Sequence, residues 1–194
     1  MTSILVVCTG NICRSPVAEG LLRDALEARL GDAAPQVSSA GTHGVVGSGA
    51  TSEAVAAAEE RGADIRAHRA RLVTPEQADA ADLVVTMATE HRELLQRLPG
   101  MRDRTFTLKE LVRVLESLPP PPRGGLVVLA DRVEMAARAR EAGFTGNPLD
   151  DDVADPLGLP LQSYRAIAWE LDQWIARLVD GLFGAEQASA ASEG

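Results

Sequence analysis

Cysteine, lysine and long apolar runs are all scarce in this chain of 194 residues. Its two cysteines cannot make a disulfide framework or fill a four-thiolate zinc site. Positive charge is in deficit: 19 basic against 28 acidic side chains leave a net charge of −9 and a pI near 4.8. That balance disfavours nucleic acid or an anionic membrane as a partner, because both want a positive field. The apolar stretch Ile4–Val7 is too short for a signal peptide or a membrane span, and no other run approaches the length needed. What is present is apolar material, 45% of the residues, enough for one domain with a full core. The expectation is a soluble, cytoplasmic protein with one domain over 1–184 and a disordered tail over 185–194. Arginine supplies all but one of the basic residues, which reads as coding bias.

Strands and helices alternate along the chain. Thr2–Cys8 is a continuous β-branched and apolar run, as in a strand buried on both faces. It stops at Thr9-Gly10-Asn11, turn chemistry that tolerates left-handed backbone angles. Ala18, Leu21, Leu22, Ala25, Leu26 and Leu30 then recur at helical spacing, with Pro16 in the first turn. Gln36–Ala40, Asp82–Met87 and Arg104–Thr107 read as further strands. Helices are expected over Ser52–Arg61, from the Thr74–Gln77 capping box, through Leu94–Leu98, over Leu108–Ser117 and along the apolar face from Tyr164 to Leu182. This order predicts an α/β fold, a four-stranded parallel sheet flanked by helices on both faces. Residues 118–147 are less legible: Pro119–Pro122 is extended, and Val127–Ala142 reads as a helix, although Leu126–Leu129 alone also passes for a strand. His43 and His91 read as surface residues, and the acidic run Asp150–Asp152 as a solvated loop.

The chemistry concentrates in the loop after the first strand, Cys8-Thr9-Gly10-Asn11-Ile12-Cys13-Arg14-Ser15-Pro16. Small and left-handed-tolerant residues let successive backbone N–H groups turn inward as a nest for oxyanions, and a helix N-terminus follows at once. Arg14 offers a planar fork that grips two oxygens together, which a lysine cannot do. The same positive potential favours the thiolate of Cys8. A thiolate facing a bound phosphate points to attack at phosphorus through a phosphocysteine.

Cys-x5-Arg-Ser leading straight into a proline and a helix resembles the low-molecular-weight protein tyrosine phosphatase family. Three further segments resemble that family in the right order: Ser39-Ala40-Gly41-Thr42, His68-x-Ala70-Arg71 and Asp155-Pro156. The resemblance implies Cys8 as nucleophile, Arg14 as the clamp on phosphoryl oxygens, and Ser15 as a donor to the thiolate. Thr9, Gly10, Asn11, Ile12 and Cys13 would complete the phosphate-binding loop, and Asn11, Ser39 and His68 would brace it. Asp155 would protonate the leaving oxygen and then activate water. No metal or cofactor is implied, because Arg14 and backbone amides neutralise the charge. The implied partner is a phosphorylated protein or a small phosphomonoester.

Some positions depart from the family pattern. Where relatives acting on phosphotyrosine carry aromatics, this chain has Leu157 and Gly158 after the Asp-Pro pair, and Thr42–Val46 after Ser-Ala-Gly. Ile12 stands where the family's phosphoarginine branch has threonine, which points back toward aryl phosphates. Ala88 follows Met87 where an aspartate is common, leaving Thr89 as the expected helix cap. Residues 118–147 form a longer connection than usual. Cys13 is either the partner of a reversible disulfide with Cys8, as in some members, or a small loop residue. Two other activities stay open, phosphoarginine hydrolysis and arsenate reduction with a small-molecule thiol.

Overall fold

The computed structural model describes residues 2–121, 129–144 and 148–185. Runs rich in β-branched and aliphatic residues form β1 (Ser3–Cys8), β3 (Leu83–Thr86) and β4 (Thr105–Thr107), and the more polar QVSSAG segment forms β2 (Gln36–Gly41). All pairings are parallel, in the order β2-β1-β3-β4. Cys8 lies opposite Gly41, and Val7 opposite Thr86, so the carboxyl ends of the central strands open at one edge of the sheet. The chain order reverses beside β1, the place where open parallel sheets bind ligands.

Side-chain alternation along β1 divides the core. Ile4, Val6 and Cys8 join the larger layer, with Leu83, Val85 and Phe106 from the neighbouring strands. That layer is covered by α1 (Arg14–Leu30), α2 (Ser52–Glu59), α5 (Leu108–Ser117), α6 (Leu129–Glu141) and α7 (Leu161–Phe183). Leu5 and Val7 face the smaller layer with Val84, Ala78, Leu95 and Met101. Here α3 (Pro75–Ala80) and α4 (Thr89–Leu95) supply the cover. The doubly wound α/β fold expected from the sequence is therefore observed.

Local chemistry sets the helix starts. Thr74 and Gln77 close the expected capping box, and Thr107 and Glu110 close a second one at α5. At α4 the expected cap is corrected: Ala88 occupies the N-cap with no side-chain bond, and Thr89 is already helical. Asp152 Oδ1 instead accepts from Thr89 N at 2.7 Å, a cap delivered from a distant loop. In α7 most of the expected apolar stripe is buried, with Ile167 and Trp174 partly buried against the core, whereas Trp169, off that stripe, is exposed. The first two residues of the expected Val127–Ala142 helix, most of the alternative strand at Leu126–Leu129, Pro122 and the tail 186–194 lie outside the described residues. Among the described residues, no helix is long and apolar enough to cross a membrane.

One end of α5 anchors the loop that leads to Asp155. Arg113 pairs with Asp151 at 2.5 Å and with Asp150 at 2.8 Å, and Lys109 pairs with Asp150 at 3.2 Å. The expected solvated acidic run is therefore a docked segment in which Asp151 is buried. Burial pushes the Asp151 carboxyl up, against the pull of Arg113.

Candidate active site

Between β1 and α1 the chain must turn within five residues, and Asn11 makes this possible. It is the single non-glycine at positive φ among the described residues, at 55°, a region where asparagine is tolerated because its amide bonds locally. Here the amide is fixed at both ends. Asn11 Oδ1 accepts from Arg71 N at 2.8 Å, which leaves Nδ2 to donate to Ser39 Oγ at 2.8 Å and Ser15 Oγ at 2.9 Å. Ser15 Oγ thus accepts a hydrogen bond from Asn11, which leaves its own O–H free to donate to Cys8 Sγ, 2.9 Å away. Asn11 N also donates to Cys8 Sγ, at 3.3 Å. The sulfur sits at the focus of two donors, buried at the end of a buried strand.

The brace extends outward from this amide. Ser39 donates onward to Glu19 Oε2 at 2.5 Å, and His68 Nε2 donates to the Asn11 carbonyl at 2.8 Å. His68 Nδ1 faces the same Glu19 carboxylate at 3.9 Å. The three residues expected to brace the loop are thus brought together. Glu19 is an addition that its sequence position, in the first turns of an ordinary-looking helix, does not announce. Close approach is secured by glycine: a Cβ at Gly41 would stand 2.3 Å from the Thr9 carbonyl, and one at Gly44 2.2 Å from the Arg71 carbonyl.

Arg14 begins α1 and is buried. Its Nη1 donates to the Val153 carbonyl at 3.1 Å, and its Nη2 to Thr9 Oγ1 at 3.2 Å and Asp155 Oδ2 at 2.6 Å. Arg14 and Asp155, far apart in sequence, therefore meet as an ion pair. Asp155 remains 43% exposed, its other oxygen accepting from Leu157 N at 3.1 Å. Val153 is itself held, its N–H donating to the Met87 carbonyl at 2.8 Å, so β3 positions the Asp155 loop over the Cys8 loop.

His91 requires a correction. Expected at the surface, it is only 2% exposed, and Nε2 lies 2.9 Å from Thr9 Oγ1. The short turn after β3 tucks the start of α4 beneath the loop, so a residue in a polar-looking helical segment ends up inside. Burial, then the nearby Arg14 guanidinium, pushes its pKa down, against the opposite pull of Glu90, Asp152 and Asp155. Cys13 is a free thiol, as is Cys8. Its sulfur faces Tyr164 Oη at 3.6 Å and Thr51 Oγ1 at 3.9 Å, and burial pushes the thiol up.

Around the mouth, Val45 N donates to the Gly10 carbonyl at 3.0 Å, which sets the Val45–Val46 turn beside the loop. Val46 is 71% exposed and Leu157 58%. These exposed hydrophobics are aliphatic, the exposed His43 is tied to the same loop by its N–H on the Thr9 carbonyl at 2.9 Å, and Ile12 packs partly buried against the core. A buried sulfur with nearby donors, a buried guanidinium on the same loop and a partly exposed carboxylate paired with it are chemically suited to a tetrahedral oxyanion and to nucleophilic attack on it.

Comparison with known proteins agrees with this arrangement. Residues 3–125 match the model of a family described as low molecular weight phosphotyrosine protein phosphatase. A protein-arginine-phosphatase of Geobacillus stearothermophilus is 32% identical over 180 residues, covering 92% of this chain and 95% of that one. The low molecular weight protein-tyrosine-phosphatase Etp of Escherichia coli K12 is 38% identical over 122 residues, 62% of this chain and 78% of its own. The crystal structure of the tyrosine phosphatase AmsI of Erwinia amylovora superposes with a TM-score of 0.69 at 26% identity, covering 94% of this chain and 93% of that one.

Proposed function

Because the chain belongs to the low molecular weight phosphotyrosine protein phosphatase family, we propose that it hydrolyses phosphotyrosine in proteins, or related phosphomonoesters, through a phosphocysteine. The observation that carries this reading is the Cys8 sulfur with Ser15 Oγ at 2.9 Å and Asn11 N at 3.3 Å. An entering phosphoryl group takes the place of the Asp155 carboxylate on Arg14, since both are oxyanions competing for one guanidinium. Cys8 attacks phosphorus, the ester P–O bond breaks, and protonated Asp155 gives its proton to the leaving oxygen. Ser15 donates to the sulfur, which lowers the cost of its departure in the second step. Water then attacks phosphorus, Asp155 takes the proton, and the S–P bond breaks to release orthophosphate and the Cys8 thiolate. A nucleophile of this kind needs a reducing compartment, so the reading includes a cytoplasmic location.

A second substrate reading is favoured by a specific observation. The exposed hydrophobic side chains at the mouth, Val45, Val46 and Leu157, are aliphatic, and the arginine phosphatase relative aligns over nearly the whole chain. Phosphoarginine would use the same Cys8 chemistry with a P–N bond broken in place of P–O. Metal-free release of phosphate from p-nitrophenyl phosphate, a phosphotyrosine peptide and phosphoarginine, beside a Cys8→Ser control, tests both. Cys8-dependent turnover supports the mechanism, and the substrate ranking decides between the readings. Turnover that survives Cys8→Ser sinks the covalent mechanism.

A further inference from the structure

We propose that His91 is a positioning residue of this site: its imidazole holds Thr9 Oγ1 so that the hydroxyl aims Arg14 at the bound oxyanion. The inference rests on the phosphatase reading of the Cys8 loop and names a residue that this reading does not use. Arg14 has three side-chain contacts among the described residues, and they are not equivalent. The Asp155 carboxylate is the one charged acceptor, bound through Nη2 alone while Nε has no partner among the described residues, and it is the contact that an arriving oxyanion competes with. The Val153 carbonyl and Thr9 Oγ1 are neutral and remain. Of these, the carbonyl is fixed by the backbone, whereas the Thr9 hydroxyl is free to rotate unless something holds it.

His91 Nε2, 2.9 Å from Thr9 Oγ1 and farther, 3.4 Å, from Glu90 Oε1, is that hold. A guanidinium has no acceptor, so Arg14 donates to Thr9 Oγ1. The hydroxyl then either donates to Nε2 or accepts from Nε2–H on its second lone pair, and a neutral ring satisfies both arrangements. The other ring nitrogen, Nδ1, is buried with no partner among the described residues. An unsatisfied buried polar atom is unfavourable, so the polar contribution of this ring lies at Nε2. Arg14 from the Cys8 loop, Glu90 on α4 itself, and Asp152 and Asp155 from the opposite loop are the charged groups that act on this ring. Burial and Arg14 oppose its protonation.

The test is a double-mutant cycle read by inorganic phosphate binding in calorimetry and by kcat/KM with p-nitrophenyl phosphate. His91→Leu keeps the bulk and removes the nitrogen; it is expected to weaken phosphate binding roughly 3- to 10-fold, the scale of one neutral hydrogen bond. Thr9→Val should cost a similar factor, and His91→Leu should add nothing in the Thr9→Val background. His91→Gln, which restores a neutral hydrogen-bonding group, should recover most of the loss. Additive losses, or a His91→Leu protein that binds phosphate like the parent, overturn the positioning role. Failure of the phosphatase reading appears separately, as hydrolysis indifferent to Cys8→Ser, while the binding cycle still decides the place of His91.

Discussion

The two walls of the site are built on opposite plans. On the Cys8 side, each polar group around Asn11 has a fixed partner: the amide bonds Arg71 N, Ser39 and Ser15, and Ser39 passes on to Glu19. On the Asp155 side, the acid itself rests on one ion pair and one backbone N–H and is 43% exposed. The difference follows from the chemistry proposed for each wall. A cradle for an oxyanion gains from being rigid before the ligand arrives, because reorganisation then costs nothing at the moment of reaction. A group that carries a proton to a leaving oxygen must be able to let go of Arg14, and the solvent-facing side of Asp155 gives its carboxylate room to do so.

The most damaging way to break this comparison is at its focus. Cys8→Ser should lower turnover by roughly 10³-fold or more while phosphate still binds, since Arg14 and the amides remain; single-turnover kinetics and calorimetry read the two separately. Next comes the exchangeable wall. Asp155→Asn should lower kcat by about 10²- to 10⁴-fold, most for poor leaving groups, yet leave phosphate binding equal or tighter because the competing carboxylate on Arg14 is gone. A leaving-group series measures the first effect. Weaker phosphate binding in this variant would contradict the proposed exchange.

The fixed wall predicts a stability effect instead. Ser39→Ala strands one Asn11 N–H and the Glu19 carboxylate, and should cost about 1–3 kcal/mol. That is a fall in Tm of about 2–4 °C per kcal/mol for a chain of this size, read by thermal unfolding. The smallest expected effect is the pH dependence contributed by His91, whose pKa in the fold lies below the ordinary 6.5. Above that value the ring is neutral in both states and contributes nothing. As pH falls through it, the unfolded chain takes a proton that the fold refuses, so stability drops by at most about 1.4 kcal/mol per pH unit until the folded ring also protonates. Tm measured from about pH 7.5 to about pH 5.5 should fall more steeply in the parent than in His91→Gln.

Sequence alone made the fixed wall more legible than the exchangeable one. β1 declares itself by an unbroken apolar run, the turn by Gly10-Asn11 and the helix by its spacing, and these elements are contiguous in the chain. Ser39 and His68 were accessible through their family segments and do converge on Asn11. Glu19 stayed hidden because a glutamate in an amphipathic helix usually faces water. His91 and Asp151 were misread for the same reason: their burial is created by elements far away in sequence, α4 folding under the Cys8 loop and Arg113 on α5 reaching Asp151 at 2.5 Å. The Arg14–Asp155 pair joins residues separated by 141 positions, beyond any local pattern.

The central claim is that the sulfur of Cys8 itself carries the phosphoryl group. Rapid alkaline denaturing quench of Asp155→Asn during p-nitrophenyl phosphate turnover, followed by peptide mass analysis without acid exposure, tests it directly, because slow breakdown in that variant lets the intermediate accumulate. A phosphoryl group on the peptide bearing Cys8, formed and lost at rates compatible with turnover, is the predicted result. Continuing hydrolysis with Cys8 unmodified throughout would contradict the account.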